Sequence, residues 1–290
     1  MKIVIVGPTG VGKTKMSVEL AKYFNAYVIN SDAVQIYQKL NIGSAKVTEE
    51  EKEGVKHFLF DIKTPDELYT VKDYQKDART LLEEYKDKNL IVVGGTGLYV
   101  CSLFYDYRFD SDNDIDYEGY SKEELYALAL EKDPACNIDP ANVIRLKRFL
   151  KRNEKEVVEP KLLYQDTLFI GLTTDRAKLY DIINKRVDKM FDSGLVEEVK
   201  TLWKEYPTSS ILSRAIGYKE VIEYLKGAIS LEESKELIKK NSRHYAKRQY
   251  TWFNNKMDIT WFNVDYDNFN NTINDVLKYI KNEMENRNEK

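Results

Sequence analysis

Eight residues near the start of the chain carry a pattern with chemical meaning. Gly7-Pro8-Thr9-Gly10-Val11-Gly12-Lys13-Thr14 fits G-x-x-x-x-G-K-[ST]. In that pattern the glycines let backbone N–H groups turn inward around phosphate oxygens. A helix opening at Lys13 adds its partial positive charge, Lys13 adds a full one, and the Thr14 hydroxyl suits Mg²⁺. The pattern has this meaning only between a strand and a helix. Lys2–Val6 is a short β-branched run, and Met16, Leu20 and Phe24 recur at helical spacing.

A nucleotide hydrolase normally ends a later apolar strand with an aspartate that holds Mg²⁺. Leu90–Val93 instead runs into Gly94-Gly95-Thr96-Gly97, with no acid. The nearest carboxylate at a strand end is Asp32, after Tyr27–Asn30. Position alone leaves Asp32 open as a metal ligand, a base or a turn cap.

Two further segments are rich in cations. Leu237–Met257 contains Lys239, Lys240, Arg243, Lys247, Arg248 and Lys256 and no acid. On a helix, Lys240, Arg243 and Lys247 share one face, with Ile238, Tyr245 and Trp252 on another. Arg145, Lys147, Arg148, Lys151 and Arg152 form a second cluster, with Arg145, Arg148 and Arg152 on one face. Each cluster reads either as a solvated face or as a grip on a phosphate backbone.

These residues need a scaffold. Strands are expected at Lys2–Val6, Tyr27–Asn30, Phe58–Asp61, Leu90–Val93, Leu168–Leu172 and Ile259–Val264. Helices are expected at about Lys13–Tyr23, Val71–Asp87, Asp175–Ser193, Val196–Trp203, Arg214–Leu225, Leu231–Phe253 and Ile273–Asn286. The alternation implies an α/β fold, a parallel sheet with helices on both faces. Between residues 106 and 159 the composition changes: Asp106, Asp110, Asp112, Asp114 and Asp116 follow closely, then helical patterns at Lys122–Glu131 and Asn142–Asn153. This stretch reads as a helical insertion, leaving 1–105 and 160–290 as one discontinuous domain. The alternative is a single continuous domain.

The chain has 290 residues, 42% hydrophobic and 32% charged, which suits a folded core rather than disorder. A net charge of −3 leaves any nucleic acid to be met by a local patch. Cys101 and Cys136 form no CxxC pair, so neither a disulfide framework nor a zinc cluster is expected. The opening apolar run is too short for a signal peptide or a membrane span, and a cytoplasmic protein is expected.

Taken in order, the motifs resemble those of the bacterial tRNA dimethylallyltransferases. Gly7–Thr14 looks like the family's GPTxxGKT, and Asn30–Tyr37 like its second motif. Asn41–Lys46 (NIGSAK) is similar to DIGTAKP, and Gly94–Tyr99 matches GGTGLY. Arg214–Glu220 (RAIGYKE) resembles QAIGYKE, and Arg243–Trp252 resembles RxYAKRQxTW. The phosphate loop alone is common to many folds; the ordered set, spanning nearly the whole chain, is highly specific.

The resemblance implies transfer of dimethylallyl from its diphosphate to N6 of the adenine adjacent to the anticodon, with release of diphosphate. It implies Gly7, Thr9, Gly10, Gly12, Lys13 and Thr14 as diphosphate binders, Mg²⁺ at Thr14, Asp32 as base, Thr96 beside the amine, and Arg186 on the diphosphate. Asp32, Ala33, Val34, Gln35 and Thr96 would meet the target base. The anticodon stem-loop would be held by Arg145, Arg148, Arg214, Gly217, Tyr218, Lys219, Lys240, Arg243, Lys247 and Arg248, with the adenine drawn out of its stack. No obligate protein partner or membrane is implied, and a monomer is expected. The chain departs from the family in a short insertion, in lacking the histidine of an HPN segment at Asp139–Asn142, and in Lys56-His57-Phe58 where PHH is common. Competing readings are a prenyltransferase of free adenine nucleotides, a phosphate-loop kinase, and an RNA-binding module that has lost its chemistry.

Overall fold

The computed structural model describes residues 1–107, 109, 115–151 and 161–288. They form two compact units, Met1–Tyr105 with Leu162–Lys290, and Asp106–Lys161. Arg152, Glu159-Pro160 and the acids Asp110, Asp112 and Asp114 lie outside the described residues.

In the larger unit the elements run β1 Lys2–Val6, α1 Lys13–Phe24, β2 Tyr27–Asn30, α2 Glu49–Lys52, β3 His57–Phe58, α3 Val71–Glu84, β4 Leu90–Val93 and α4 Gly97–Phe104. The smaller unit holds α5 Lys122–Lys132 and α6 Val143–Lys151. The larger unit resumes with β5 Thr167–Thr173, α7 Arg176–Asp192, α8 Leu195–Glu205, α9 Tyr218–Leu225, α10 Leu231–Lys256, β6 Thr260–Asn263 and α11 Phe269–Asn288.

The strands form one parallel sheet in the order β3-β2-β4-β1-β5-β6. Strands β1, β4 and β5 are buried along nearly their whole length, which is why they read as continuous apolar runs rather than alternating ones. Ile5 pairs with Val93, and Asn30 pairs with Val93 on its other side. The C-terminal ends of β1, β2 and β4 are therefore level at one edge. The three loops that follow them, carrying Lys13, Asp32 and Thr96, are brought together by register alone.

Local chemistry sets the helix boundaries. Thr70 and Ser230 accept from the backbone N–H three residues on, while Asp73 and Glu233 reach back to their N–H groups. Each such capping box is worth about 1 kcal/mol. Ile3, Ile5, Met16, Leu20, Ile91, Ile170 and Ile183 join in a core between sheet and helices. The smaller unit has its own core of Tyr117, Leu125, Ala129, Ile138, Leu146 and Leu150.

Two expected elements differ materially from those observed, and two short helices, α2 and α4, are additional. The strand expected over 58–61 stops at Phe58, because Leu59 and Asp61 take left-handed φ values of 61° and 55°. The helix expected from Arg214 begins at Tyr218, because Gly217, at φ 96°, breaks the backbone before it. Helix α4 follows β4 directly and was not expected; its apolar sequence, buried from Tyr99 to Phe104, has no polar face to show a helical period.

Candidate active site

Gly7, at φ +142°, lies so close to β5 that a Cβ there would sit 2.4 Å from the Leu172 carbonyl oxygen. The loop thus leaves the sheet in a path open only to glycine. Lys13 folds back across it, donating to the carbonyl oxygens of Gly7 at 3.0 Å and Pro8 at 2.8 Å. Burial pushes its ammonium down to about 7; Asp32 opposes the shift and Arg186 adds to it.

Arg186, on α7, donates from Nη1 to the Thr9 hydroxyl at 3.0 Å. Burial lowers its pKa from the ordinary arginine value too, with Asp32 opposing. Two desolvated cations with one carboxylate nearby leave a surplus of positive charge facing the glycine loop. That is the electrostatic shape of an anion site.

Asp32 stands where two cavities meet. One, of about 290 Å³, is lined by Gly10, Gly12, Lys13, Thr14 and Gln249. The other, of about 450 Å³, is lined by Ile183, Val187, Met190, Ile211, Arg214 and Lys219, among others. Thr9, Asp32, Ser44, Arg186 and Tyr245 line both. The Asp32 carboxylate accepts the Val34 N–H at 2.9 Å through Oδ1, so it does close a turn; no protein group among the described residues is bonded to Oδ2. The capping and reactive readings of this residue are thus compatible. Its backbone is held by Asn30, whose Oδ1 accepts the Asp32 N–H and whose Nδ2 reaches the carbonyl oxygens of Asp32 and Leu59.

Thr96 lies opposite. Its Oγ1 accepts the Ala33 N–H at 3.0 Å, and its own N–H donates to the Ser31 carbonyl at 3.1 Å. The Tyr245 phenol, from α10, is pushed up to about 12, chiefly by burial and then by Asp32, while hydrogen bonding to Thr96 and Gln249 opposes the shift.

A family model described as IPP transferase matches residues 35–256. The chain belongs to the IPP transferase family. It is 43% identical, over 96% of its length and 96% of the relative's, to the tRNA dimethylallyltransferase of Anoxybacillus flavithermus. The crystal structure of the full-length tRNA isopentenylpyrophosphate transferase of Bacillus halodurans is 39% identical, with a TM-score of 0.77 over 99% of this chain and 98% of that one. A eukaryotic dimethylallyltransferase acting on tRNA superposes with a TM-score of 0.83 at 28% identity, over 99% of this chain and 80% of that one.

Within this IPP transferase the residues singled out from sequence fall into separate environments. Gly10, Gly12, Lys13, Thr14 and Gln35 line the smaller cavity, Val34, Arg214, Lys219 and Arg248 the larger, and Thr9, Asp32 and Arg186 both. Gln35 is engaged, its Nε2 donating to the carbonyl oxygens of Ser44 and Ala45. Lys240 and Lys247 are exposed on α10, and Arg145 and Arg148 on α6.

Tyr218 and Gly217 are placed differently from the expectation. Tyr218 is fully buried, and its hydroxyl donates to Glu198 at 2.8 Å. Glu198 also accepts the backbone N–H groups of Asn41, Ile42 and Gly43. Tyr218 therefore anchors the NIGSAK loop and presents no surface to an RNA. Gly217 is buried, and its N–H is taken by the Glu220 carboxylate.

The expected cationic stripe of α10 is also divided. Arg243 donates to Asn184 on α7 at 2.6 Å, and Lys239 is neutralised by Asp188 and Glu236. Of these two acids, Glu236 stands on α10 just before the acid-free segment, whereas Asp188 comes from α7, which counting acids along α10 could not find. Sequence reading also passed over Gln249, a buried amide whose partners are 240 and 154 residues away.

Proposed function

We propose that this IPP transferase moves the dimethylallyl group from dimethylallyl diphosphate to N6 of the adenine adjacent to the anticodon of tRNA, releasing diphosphate. The observation that carries this reading is the position of Asp32: a carboxylate with one free oxygen, at the junction between a cationic phosphate loop and an open cavity large enough for a base.

The diphosphate lies against the loop amides, with Lys13 and Arg186 taking up the charge that grows as the C1–O bond breaks. The N6 lone pair forms the new bond to C1, and Asp32 Oδ2 receives the proton that the amine sheds. Thr96, fixed by Ala33 and Ser31, orients the amine. Thr14 fits Mg²⁺ by its chemistry, as an exposed hydroxyl oxygen at the head of α1. Among the described residues no cluster of three His, Cys, Asp or Glu side chains offers an alternative. Mg²⁺ held there would supply further neutralisation of the leaving group.

Asp106–Lys161 is proposed as a tRNA-contacting domain through Arg145 and Arg148, with Arg214, Lys219, Lys240, Lys247 and Arg248 contributing from the larger unit. A cytoplasmic monomer is proposed as the working state. Among the described residues no helix is long and apolar enough to cross a membrane.

The test is a product assay with dimethylallyl diphosphate, Mg²⁺, and either unmodified tRNA or AMP, read by mass spectrometry of adenosine. Prenylated adenosine from tRNA alone is expected. Comparable product from AMP would overturn the assignment of the acceptor, and product from neither would overturn the reaction.

A further inference from the structure

The side chain of Gln249 spans two loops that the proposed reaction uses for different purposes. Its Oε1 accepts the Thr9 N–H of the phosphate loop at 2.9 Å, and its Nε2 donates to the Gly95 carbonyl at 2.9 Å. It is 4% exposed. One planar amide is the right group for this: an acceptor and a donor side by side, facing a donor and an acceptor on separate segments.

The fit is close on the Gly95 side. A Cβ on Gly95 would lie 2.0 Å from Gln249 Nε2, and one on Gly97 would lie 2.1 Å from Trp252 Cδ1. The GGTG loop thus rests directly on α10, and Gly95 and Gly97 are required by what α10 presses against them. Thr9 in turn takes the Arg186 hydrogen bond, and Gly95 precedes Thr96. One turn earlier on the same helix, Tyr245 lies beside Thr96 and Gln249, while Lys247 and Arg248 are exposed.

We propose that Gln249 is a positioning residue that locks the leaving-group loop and the amine-orienting loop into one register. The assignment rests on the proposed reaction for the roles of the two loops. Gln249 lines the smaller cavity, but its Oε1 is taken up by the Thr9 N–H and its Nε2 by the Gly95 carbonyl, so its assigned role runs through the groups it holds. It acts through Thr9, which sets Arg186 against the diphosphate, and through Gly95, which sets Thr96 and with it Ala33 and Asp32. Because the bridge belongs to the helix that carries the exposed cations, an RNA held on α10 is held in fixed relation to both loops.

The test compares Gln249→Met, which keeps the volume but leaves the Thr9 N–H and the Gly95 carbonyl unpaired, with Gln249→Glu. The latter keeps the acceptor for Thr9 but sets an oxygen against the Gly95 carbonyl. Phe253→Leu, a buried change on the same helix outside both loops, serves as a control for lost stability. Inorganic pyrophosphate is the binding probe, by calorimetry, and steady-state kinetics give kcat and KM for each substrate.

Gln249→Met is expected to weaken pyrophosphate binding and to lower kcat at saturating substrates, each by roughly tenfold or more. The tRNA KM is expected to stay within about twofold. Gln249→Glu is expected to lower kcat to a similar degree. Phe253→Leu should lose thermal stability while keeping pyrophosphate affinity. Unchanged pyrophosphate affinity in a folded Gln249→Met protein would overturn the proposal. So would an equal loss in a Phe253→Leu protein of matched melting temperature. The pyrophosphate measurement needs no RNA, so a wrong acceptor assignment would leave it intact and show itself only in the product assay.

Discussion

Two sets of cations in this protein are held in opposite ways. Lys13 and Arg186 are desolvated, hydrogen-bonded to Gly7, Pro8 and Thr9, and lowered in pKa by burial. Lys240, Lys247, Arg145 and Arg148 stand exposed on helix surfaces. A charge in the first setting acts strongly over a short range on one group placed against it. A charge in the second is screened within about 8 Å at physiological salt and acts as part of a sum. On the proposed reading, the difference separates leaving-group chemistry from RNA retention, with α10 taking part in both.

The sharpest way to break that separation is at Asp32, the carboxylate facing both buried cations. Asp32→Ala is expected to lower kcat by about 10²–10⁴-fold while tRNA binding, by filter retention, changes little. Near-normal turnover would remove Asp32 from the mechanism. Loss of tRNA binding would mean that the two sets of cations are not independent.

A smaller effect concerns pH. Lys13 is held near 7 in the free protein, and a bound diphosphate favours its charged form. Affinity for pyrophosphate is therefore expected to be full below pH 7 and to fall as pH rises above it, by up to about tenfold per unit. The ratio of wild type to Lys13→Arg, whose charge does not titrate, cancels the ligand's own ionisation. A flat ratio from pH 6 to 9 would mean the lysine stays charged in the empty loop. Arg186→Gln removes a neighbouring cation and should move the fall to higher pH.

The smallest effect belongs to the surface. Lys240→Glu and Lys247→Glu are each expected to weaken tRNA binding a few-fold and to reduce the salt slope by about one. The kcat at saturating tRNA should hold. Arg243→Glu should behave differently, because its guanidinium is tied to Asn184: it should lower stability more than it changes the salt slope. If all three behave alike, burial does not divide the cations of α10.

How much of this was legible in the sequence depended on the distance over which each feature is decided. The strands β1, β2 and β4 were, because buried parallel strands are continuous apolar runs. The phosphate loop was, because its conformation is dictated by its own glycines. Asp32 could be singled out by its place at a strand end, but its role and that of Thr96 came only through resemblance; their meeting depends on the register that levels β2 with β4. Helix α4 was hidden by an apolar face on every side. The placement of Tyr218 was hidden because its partner, Glu198, lies 20 residues upstream and serves a third segment. Gln249 was hidden most completely, since nothing near residue 249 indicates that an amide there satisfies loops at residues 9 and 95.

The outer side of the phosphate loop is covered by residues from the far end of the chain. A Cβ on Gly12 would meet the Phe269 ring at 2.7 Å, Lys15 sits over that ring, and the Tyr266 hydroxyl reaches the Gly10 carbonyl at 3.5 Å. Strand β1 itself has no neighbours until residues 90–93 and 167–171 have been made. During synthesis, then, the loop is made well before the segments that wall it. A nascent chain is therefore without a finished wall to the proposed diphosphate cradle until Tyr266 and Phe269 have been translated.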